Sequence, residues 1–421
     1  MALVSEAVTY LALLLSSITW LIADWKRREM NLSAAFSHFK EALQARRWWA
    51  LFTLAGLVWI CEGLLAALVQ GNEPRVSHLY KAFLMLTMVV GYRVLPSFCG
   101  VFWRRLIFGA LLGAGIAAGA GYMQLNHGGF PMERLLMSQA EKTDKNHYRG
   151  QIYVPGTHTK AATGPLRNRI KTSVTLVWFL GLFVGLSSLA RTWSIKAALG
   201  VVIFGLGVFS YFTYARAGWA ASALCLVGLS LIHFVPALRK FLLGTLSLSL
   251  VAGMAFVVST GASYPSDVAA PVSADKMSVR GFSWAHGLKV IESYPFLGSG
   301  LGTYSRASKE FFKDPELAFS HTINTHCQHL TAWAEGGPVG GFAWLSMMVL
   351  LIWGMHRSWQ RKRSLVDLPF QAQRLAATFI VVTIFILSFV HDFLFHPSVA
   401  ALFWMVAGLI GYLGIKEARK A

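Results

Sequence analysis

Residues 326–356 read HCQHLTAWAEGGPVGGFAWLSMMVLLIWGMH, so that a polar segment runs directly into an apolar one. A helix needs about 20 apolar residues to cross the hydrocarbon core of a bilayer, and residues 338–356 supply nearly that number without Asp, Glu, Lys or Arg. The stretch therefore predicts a membrane span, with His326 near a helix start at the boundary between water and lipid.

Composition extends this prediction to the whole chain of 421 residues, of which 55% are hydrophobic and 14% charged. No soluble core is large enough to bury so much apolar surface, and an ordinary soluble domain is thereby excluded. We predict an all-α polytopic membrane protein with about eleven or twelve transmembrane helices. The apolar runs lie at residues 7–23, 49–70, 80–98, 104–124, 172–190, 194–213, 217–236, 240–260, 338–356, 374–391 and 397–415. The first run lacks a basic leader and a small-residue cleavage pattern, so we expect it to remain as a span.

The net charge of the chain is +19, and clusters of basic side chains lie in the loops between these runs. Basic side chains fall on alternate loops, as the positive-inside rule requires of cytoplasmic segments, which argues against nucleic acid as a partner. They are Lys26, Arg27, Arg28, Arg46, Arg47, Arg104, Arg105, Arg239, Lys240, Arg357, Arg361, Lys362, Arg363, Lys416, Arg419 and Lys420. The C-terminus is then cytoplasmic, and the N-terminus lies outside, or inside if one early span is missed.

This topology divides the chain into three parts. Residues 1–260 hold about eight spans and an outer loop at 125–171, residues 261–337 form a large outer loop, and residues 338–421 hold the last spans and the tail. The outer loop at 125–171 carries eight basic against three acidic side chains. Two interpretations remain open for it, a solvated loop or a cradle for the phosphates of an anionic lipid.

The large outer loop contains a predicted helix. Trp284, Leu288 and Ile291 recur at helical spacing, and Tyr294-Pro295 would end the helix. Arg280 would stand at its start, where a cation gains nothing from the helix dipole, so a partner anion explains it better. The glycine-rich turn at residues 295–302 follows, and it would either connect helices or cradle phosphate.

Arg216 interrupts the nearly continuous apolar sequence from residue 204 to residue 235. An unpaired Arg at membrane depth costs at least about 2.5–3.5 kcal/mol on insertion scales. The neighbouring aromatic residues Tyr211, Tyr214 and Trp219 indicate the outer interface instead. There Arg216 would either extend to lipid headgroups or bind an oxyanion through its planar fork.

His326 likewise permits two interpretations. On a helix with Leu330 and Trp333 it would face the membrane domain as a structural residue, whereas a neutral imidazole could also accept a proton from a hydroxyl. The spacing of His321, His326 and His329 does not place all three on one helical face, so we predict no metal site. The four cysteines lack disulfide and zinc spacing. They are Cys61, Cys99, Cys225 and Cys327.

Three motifs match a known family. His326, ten residues, Gly337, two residues and Gly340 resemble the signature of bacterial O-antigen ligases, in which a histidine opens the pattern and two glycines close it. The phrase Ala215–Gly218 resembles the arginine motif at the end of a span in the same family. Two positions depart from it: Cys327 stands where the family usually has Asn, Ser or Gln, and Ala215 stands where Ser commonly precedes the arginine.

The third motif is Arg280 with Trp284 and residues 295–300, which resembles the arginine block of the family's large loop. The resemblance covers roughly residues 172–415. It implies a GT-C-like membrane fold in the bacterial inner membrane, with a large helical periplasmic loop and the active site on the periplasmic face.

The resemblance also implies a reaction. O-antigen polysaccharide would move from undecaprenyl diphosphate to a hydroxyl of the lipid A–core oligosaccharide, with inversion and without nucleotide, metal or other cofactor. His326 would be the general base, and Arg216 and Arg280 would bind the donor diphosphate. We expect five further residues to support the site: Trp284, Gly300, His329, His391 and Asp392. His396 lies near the last two, on the outer face between the final spans.

Three other functions remain open. An O-antigen polymerase shares the superfamily's architecture and would join two lipid-linked glycans. A protein O-oligosaccharyltransferase would modify protein, although such enzymes often add a periplasmic domain after the last span. A lipid-linked sugar flippase or transporter would also have many spans, but it should show internal repeats, and no convincing repeat is visible.

Overall fold

The computed structural model describes a helical chain. It covers residues 47–71, 84–85, 87–89, 91, 115, 119, 169–187, 190, 192–213, 215, 217–223, 226–227, 238–262, 276–311, 325–360, 368–392, 394 and 397–414. Within these ranges every regular element is a helix and none is a strand. The prediction of an all-α protein is confirmed for this part of the chain.

Nine α-helices form the framework of the described residues. They are α1 (Arg47–Val69), α2 (Arg169–Ser187), α3 (Trp193–Phe212), α4 (Leu238–Ala262), α5 (Lys276–Ser293), α6 (Tyr304–Ala307), α7 (Gln328–Gln360), α8 (Leu368–Leu387) and α9 (Pro397–Gly414). A short helical turn lies at Thr87–Val89, and a 3-10 turn at Ser308–Phe311 follows α6.

Three of these helices are long and apolar enough to cross a bilayer, namely α1, α3 and α7. Shorter apolar segments lie in α2, α4, α8 and α9. The multi-pass character predicted from composition is thus supported, while the predicted spans at 7–23, 80–98, 104–124 and 217–236 lie wholly or mostly outside the described residues.

Two predicted boundaries are wrong. The span expected at 338–356 belongs to α7, which begins at Gln328 and passes through a non-helical joint at Gly337. The span expected at 374–391 ends at Leu387, where a turn begins. In the first case the sequence pattern did not predict the helical residues 328–336, because they are polar and only the apolar part of α7 resembles a span.

The chain divides into two compact units. The first comprises Met1–Leu11, Arg93–His233 and Arg363–Thr383. In it α2 packs against α3, and Gly181 of α2 lies against Ile380. Gly218 approaches α2 so closely that a Cβ atom there would overlap the hydroxyl of Ser173.

The second unit comprises Ala12–Tyr92, Phe234–Lys362 and Ile384–Ala421. Its centre is the long contact between α1 and α7, where the rings of Trp59 and Trp344 lie 5.4 Å apart. Helix α9 joins this core through Phe403 and Trp404, whose rings lie 6.0 Å from Trp344 and 6.2 Å from Phe52. The buried aromatic rings give a rigid frame for the segments at the end of α1.

Helix α5 carries the predicted apolar stripe. Trp284 is buried against Cys327 and Leu330, and Leu288 and Ile291 pack around the same cluster. The stripe is therefore confirmed. The predicted start is wrong, because α5 begins at Lys276 and Arg280 lies in its second turn.

Candidate active site

The candidate site lies around a break in α7 at Gly337 and Pro338. Gly337 has φ 54° and ψ −160°, and Pro338 has no N–H to donate to the carbonyl of Ala334. Ser299 replaces that donor, because its backbone N–H lies 2.9 Å and its hydroxyl 3.2 Å from the Ala334 oxygen. Gly298 permits this approach, since a Cβ atom there would lie 2.4 Å from the nitrogen of Gly337.

The same turn joins α7 to α1. The N–H of Gly300 donates to the carbonyl of Glu335 at 2.8 Å, and the N–H of Leu301 donates to the carbonyl of Gly63 at 2.7 Å. A Cβ atom on Gly300 would lie 2.5 Å from the Cα of Ala67, and its φ of 104° also requires glycine. Gly300 is therefore needed for close packing of this turn against α1.

These bonds decide between the two interpretations of the glycine-rich turn. The backbone N–H groups of residues 298, 299, 300 and 301 all donate to carbonyl oxygens. A phosphate cradle would need such donors to point at the ligand. The turn is a connector, and the phosphate-cradle alternative is wrong for these four groups.

His326 lies two residues before α7 and not on the helix, contrary to the prediction. It has φ 54°, a left-handed conformation that is uncommon outside glycine, and it is half-buried between two buried neighbours. The hydroxyl of Thr325 accepts the N–H of Cys327 at 3.0 Å and so closes a turn around His326. Strained residues of this kind cluster at functional sites, which makes His326 a sound candidate on geometry as well as on motif.

Cys327 occupies the position where the family resemblance departs. Its side chain is fully buried beside Trp284 and Leu330. Burial raises the pKa of the Cys327 thiol to about 12, although backbone N–H groups oppose the shift. The residue is a packed, protonated thiol and not a nucleophile.

His329, one turn further on, is completely buried and has two side-chain partners. The indole N–H of Trp344 donates to His329 Nδ1 at 3.0 Å, so that nitrogen is an acceptor. The Ser388 hydroxyl donates to the carbonyl of Phe385 at 2.6 Å, and Ser388 Oγ lies 2.7 Å from His329 Nε2. His329 therefore is neutral, with its proton on Nε2, and it connects α7 to the turn after α8.

The start of α7 is hydrogen-bonded to the segment that follows α8. The N–H of Gln328 donates to the carbonyl of Ser388 at 2.8 Å, and the N–H of Leu394 donates to Gln328 Oε1 at 2.9 Å. His391 and Asp392 lie between these two contacts in the chain, so the structure places both near the beginning of α7. His391 is half-buried and Asp392 is buried.

Tyr304 belongs to the same neighbourhood. Burial raises the pKa of its phenol, and the negative charges of Asp392 and Glu335 raise it further. The three side chains are therefore close enough to interact, and each is no more than 4% exposed. Neither Tyr304 nor Glu335 was predicted, because sequence spacing does not bring their segments together.

Arg280 lies one helical turn before Trp284 and on the same face of α5, so it is near the Cys327 cluster. Burial lowers the pKa of its guanidinium, which remains cationic because arginine does not lose its charge in proteins. Within the described residues the guanidinium has neither an ion pair nor a hydrogen bond. A partly desolvated cation of this kind is suited to an anionic ligand.

Other predicted residues lie outside the described part of the chain. They are Arg216, Tyr214, His321, His396 and most of the loop 125–171. Beside Arg216, Ala215 is buried, and the rings of Tyr211 and Trp219 lie 5.2 Å apart in the first unit.

Sequence reasoning missed Glu62. This residue lies within α1, is 9% exposed, and neither carboxyl oxygen has a hydrogen-bond partner among the described residues. It is the one charged side chain in the run 49–70, and an ionisable residue within a span was a signal that could have found it.

Comparison with known proteins agrees with the motifs. Residues 199–345, about a third of the chain, match the family model described as O-antigen ligase. That family covers O-antigen ligases and polymerases, which are glycosyltransferase-like enzymes, and it implies a lipid-linked glycan and a lipid acceptor as partners in general. No curated protein matches the chain. The resemblance seen in the motifs is therefore confirmed, and the match over residues 199–345 is consistent with a member of the O-antigen ligase family.

Proposed function

We propose that this protein transfers O-antigen polysaccharide from undecaprenyl diphosphate to a hydroxyl of the lipid A–core oligosaccharide, at the periplasmic face of the bacterial inner membrane. The observation that carries the proposal is the conformation of His326. His326 is half-buried and has a backbone φ of 54°, and it lies just before the start of α7, beside the helix that bears Arg280. The family match over residues 199–345 includes both residues.

The proposed chemistry is a direct displacement. The acceptor hydroxyl oxygen forms a bond to the anomeric carbon of the donor, while the bond between that carbon and the diphosphate oxygen breaks. His326 takes the hydroxyl proton, and undecaprenyl diphosphate leaves with the bonding electron pair. Attack opposite the leaving group inverts the anomeric centre.

This reaction requires few other catalytic groups from the protein. The diphosphate is already a good leaving group, so catalysis requires mainly positioning, charge stabilisation and one base. Arg280 would bind the diphosphate, and its lack of a protein anion within the described residues supports that role. Arg216 would supply the second cation, a role that rests on its motif.

The buried residues behind His326 would keep it in place. His329, Trp344 and Ser388 form one hydrogen-bonded chain, and Gln328 is fastened to the turn that contains His391 and Asp392. Trp284 anchors α5 to the same segment. Each contact restricts movement of the backbone on which His326 lies, which favours a fixed geometry for proton transfer.

A polymerase is the second candidate, because the matched family includes such enzymes. It would use the same base and the same diphosphate site, but its acceptor would be another lipid-linked glycan. The two functions differ in product and not in the residues proposed to carry out the chemistry.

The test is reconstitution of the purified full chain in liposomes with an undecaprenyl-diphosphate-linked glycan and lipid A–core. A ligated lipid A–core product is expected. A lengthened lipid-linked glycan would instead establish polymerase activity, and movement of the glycan across the bilayer without bond formation would establish transport.

A further inference from the structure

Glu62 points into a groove formed by the glycines of α7. A Cβ atom placed on either Gly336 or Gly340 would lie 2.8 Å from Glu62 Oε2. These two glycines are four residues apart in the chain and lie on either side of the break at Gly337. Alanine at either position would displace the carboxyl group, so the groove is shaped to admit it.

The carboxyl group in this groove has no polar partner. Both Glu62 oxygens are buried without a hydrogen bond among the described residues, and so is the indole N–H of Trp59, which lies one turn earlier on α1. Trp59 borders the same groove, since its Cδ1 lies 3.6 Å from the Cβ position of Gly340. Burying such groups without partners is costly, and ionisable residues inside spans are usually functional.

The groove lies where three segments of the second unit meet. Gly63, the next residue of α1, accepts the N–H of Leu301, and a Cβ atom on Gly63 would lie 2.9 Å from the Leu301 Cβ. The backbone N–H of Gly300 in turn donates a hydrogen bond to the carbonyl of Glu335 on α7. Glu62 is therefore the side chain of α1 that reaches the break in α7 at the point where the connecting turn is fastened to both helices.

We propose that Glu62 is a positioning residue for the transfer reaction. Its carboxyl group fills the groove at Gly336 and Gly340. In this position it fixes the angle between the two parts of α7 on either side of Gly337, and thereby the orientation of residues 328–336, which follow His326. The inference rests on the proposed function, because it assigns Glu62 to the same site.

Distance makes this a positioning role and not a catalytic one. Gly336 is eight residues beyond Gln328, the first residue of α7, which corresponds to roughly 12 Å along the helix, and His326 precedes Gln328 by two residues. Glu62 cannot touch a hydroxyl held by His326 at that separation. It acts on the orientation of the segment, where a misplacement of about 1 Å can cost about 100-fold in rate.

A double-mutant cycle with Glu62→Ala and Gly340→Ala tests the fit. Glu62→Ala removes the carboxyl group and Gly340→Ala displaces it, so each should lower kcat by about 10- to 100-fold while the donor KM stays within about threefold. In the double variant the alanine methyl enters space that the carboxyl group has left. Its kcat should be no lower than that of Glu62→Ala alone, so that the two effects fail to multiply.

Three further variants complete the experiment. Glu62→Gln keeps the shape of the side chain and should retain kcat within about threefold, even if Glu62→Ala folds poorly. Glu292→Ala, at an exposed acid on α5, and Gly205→Ala, where a Cβ atom meets nothing within 4 Å, are the matched controls and should leave kcat unchanged. Thermal midpoints of all variants show whether each is folded.

The rate is measured for whichever product the wild-type chain forms, ligated or lengthened, so a different acceptor does not remove the test. The inference is overturned if Glu62→Ala keeps wild-type kcat, if the effects of the two alanines multiply, or if Glu62→Gln is as slow as Glu62→Ala. A wild-type chain that forms neither product contradicts the proposed function, and the positioning role with it.

Discussion

The backbone N–H of Ser299 donates to the carbonyl of Ala334 at 2.9 Å and makes the hydrogen bond that Pro338 cannot make. A loop thus completes the hydrogen bonding of a broken helix. The loop and the helix must approach within backbone contact for this bond to form, which explains why Gly298 and Gly337 face each other.

Gly298→Ala tests that approach. The new Cβ atom would lie 2.4 Å from the backbone nitrogen of Gly337, and φ is 74° at this position. Backbone atoms cannot move aside as a flexible side chain can, so we expect a loss of about 2–5 kcal/mol in the free energy of unfolding. The measurement is thermal or denaturant unfolding in detergent. Gly200→Ala is the control, because a Cβ atom there meets nothing within 4 Å; equal stability of the two variants would contradict the packing.

Trp344→Phe tests the hydrogen bond to His329. The substitution keeps an aromatic ring but leaves His329 Nδ1 buried without a donor, which should cost about 1–3 kcal/mol. Unfolding of the variant is compared with that of Trp353→Phe, at a half-exposed position on the same helix. If both variants unfold alike, the bond contributes no net stability.

Cys327 should resist modification in the folded protein. Its pKa is raised to about 12 from an ordinary value of 9.0, so the native thiol stays protonated well above neutral pH. The unfolded thiol loses its proton near pH 9, and stability from this residue is therefore complete below pH 9 and falls as the pH rises toward 12. In a variant with Cys61, Cys99 and Cys225 replaced by alanine, maleimide should label Cys327 only after denaturation. Rapid labelling of the native protein would refute its burial.

Arg280→Ala and Arg216→Ala should weaken donor binding. Each removes a charge-assisted contact proposed for the diphosphate, and about 1.5–3 kcal/mol per contact corresponds to about 10- to 100-fold in affinity. Arg280→Lys should recover only part of the loss, since lysine keeps the charge without the planar fork. The measurement is the Kd for the lipid-linked glycan, with Arg306→Ala at an exposed arginine of α6 as control. Unchanged donor affinity in the first two variants would rule out the proposed diphosphate contacts.

Local patterns in the sequence predicted local structure well. The spacing of Trp284, Leu288 and Ile291 gave the buried face of α5, because helical periodicity depends only on neighbouring residues. The start of α7 was missed, since residues 328–336 are too polar to resemble a span and Gly337-Pro338 resembles a boundary.

Contacts distant along the chain could not be predicted in this way. Ser299 and Ala334 are 35 residues apart, and His329 and Ser388 are 59 residues apart. No periodic pattern encodes such pairs. Glu62 escaped prediction for a different reason: the motifs that predict the site lie in the outer segments or at a span end, whereas this carboxyl group lies within the candidate span of α1.

The central claim concerns His326, and His326→Asn tests it most directly. Asparagine tolerates the left-handed backbone of this position but cannot act as a base at neutral pH, so folding should be kept while proton transfer is lost. With lipid-linked glycan and lipid A–core in liposomes, we expect the wild-type chain to form a ligated product and the variant to be slower by about 10²- to 10⁴-fold with an unchanged thermal midpoint. Ligation by His326→Asn at the wild-type rate would contradict the account.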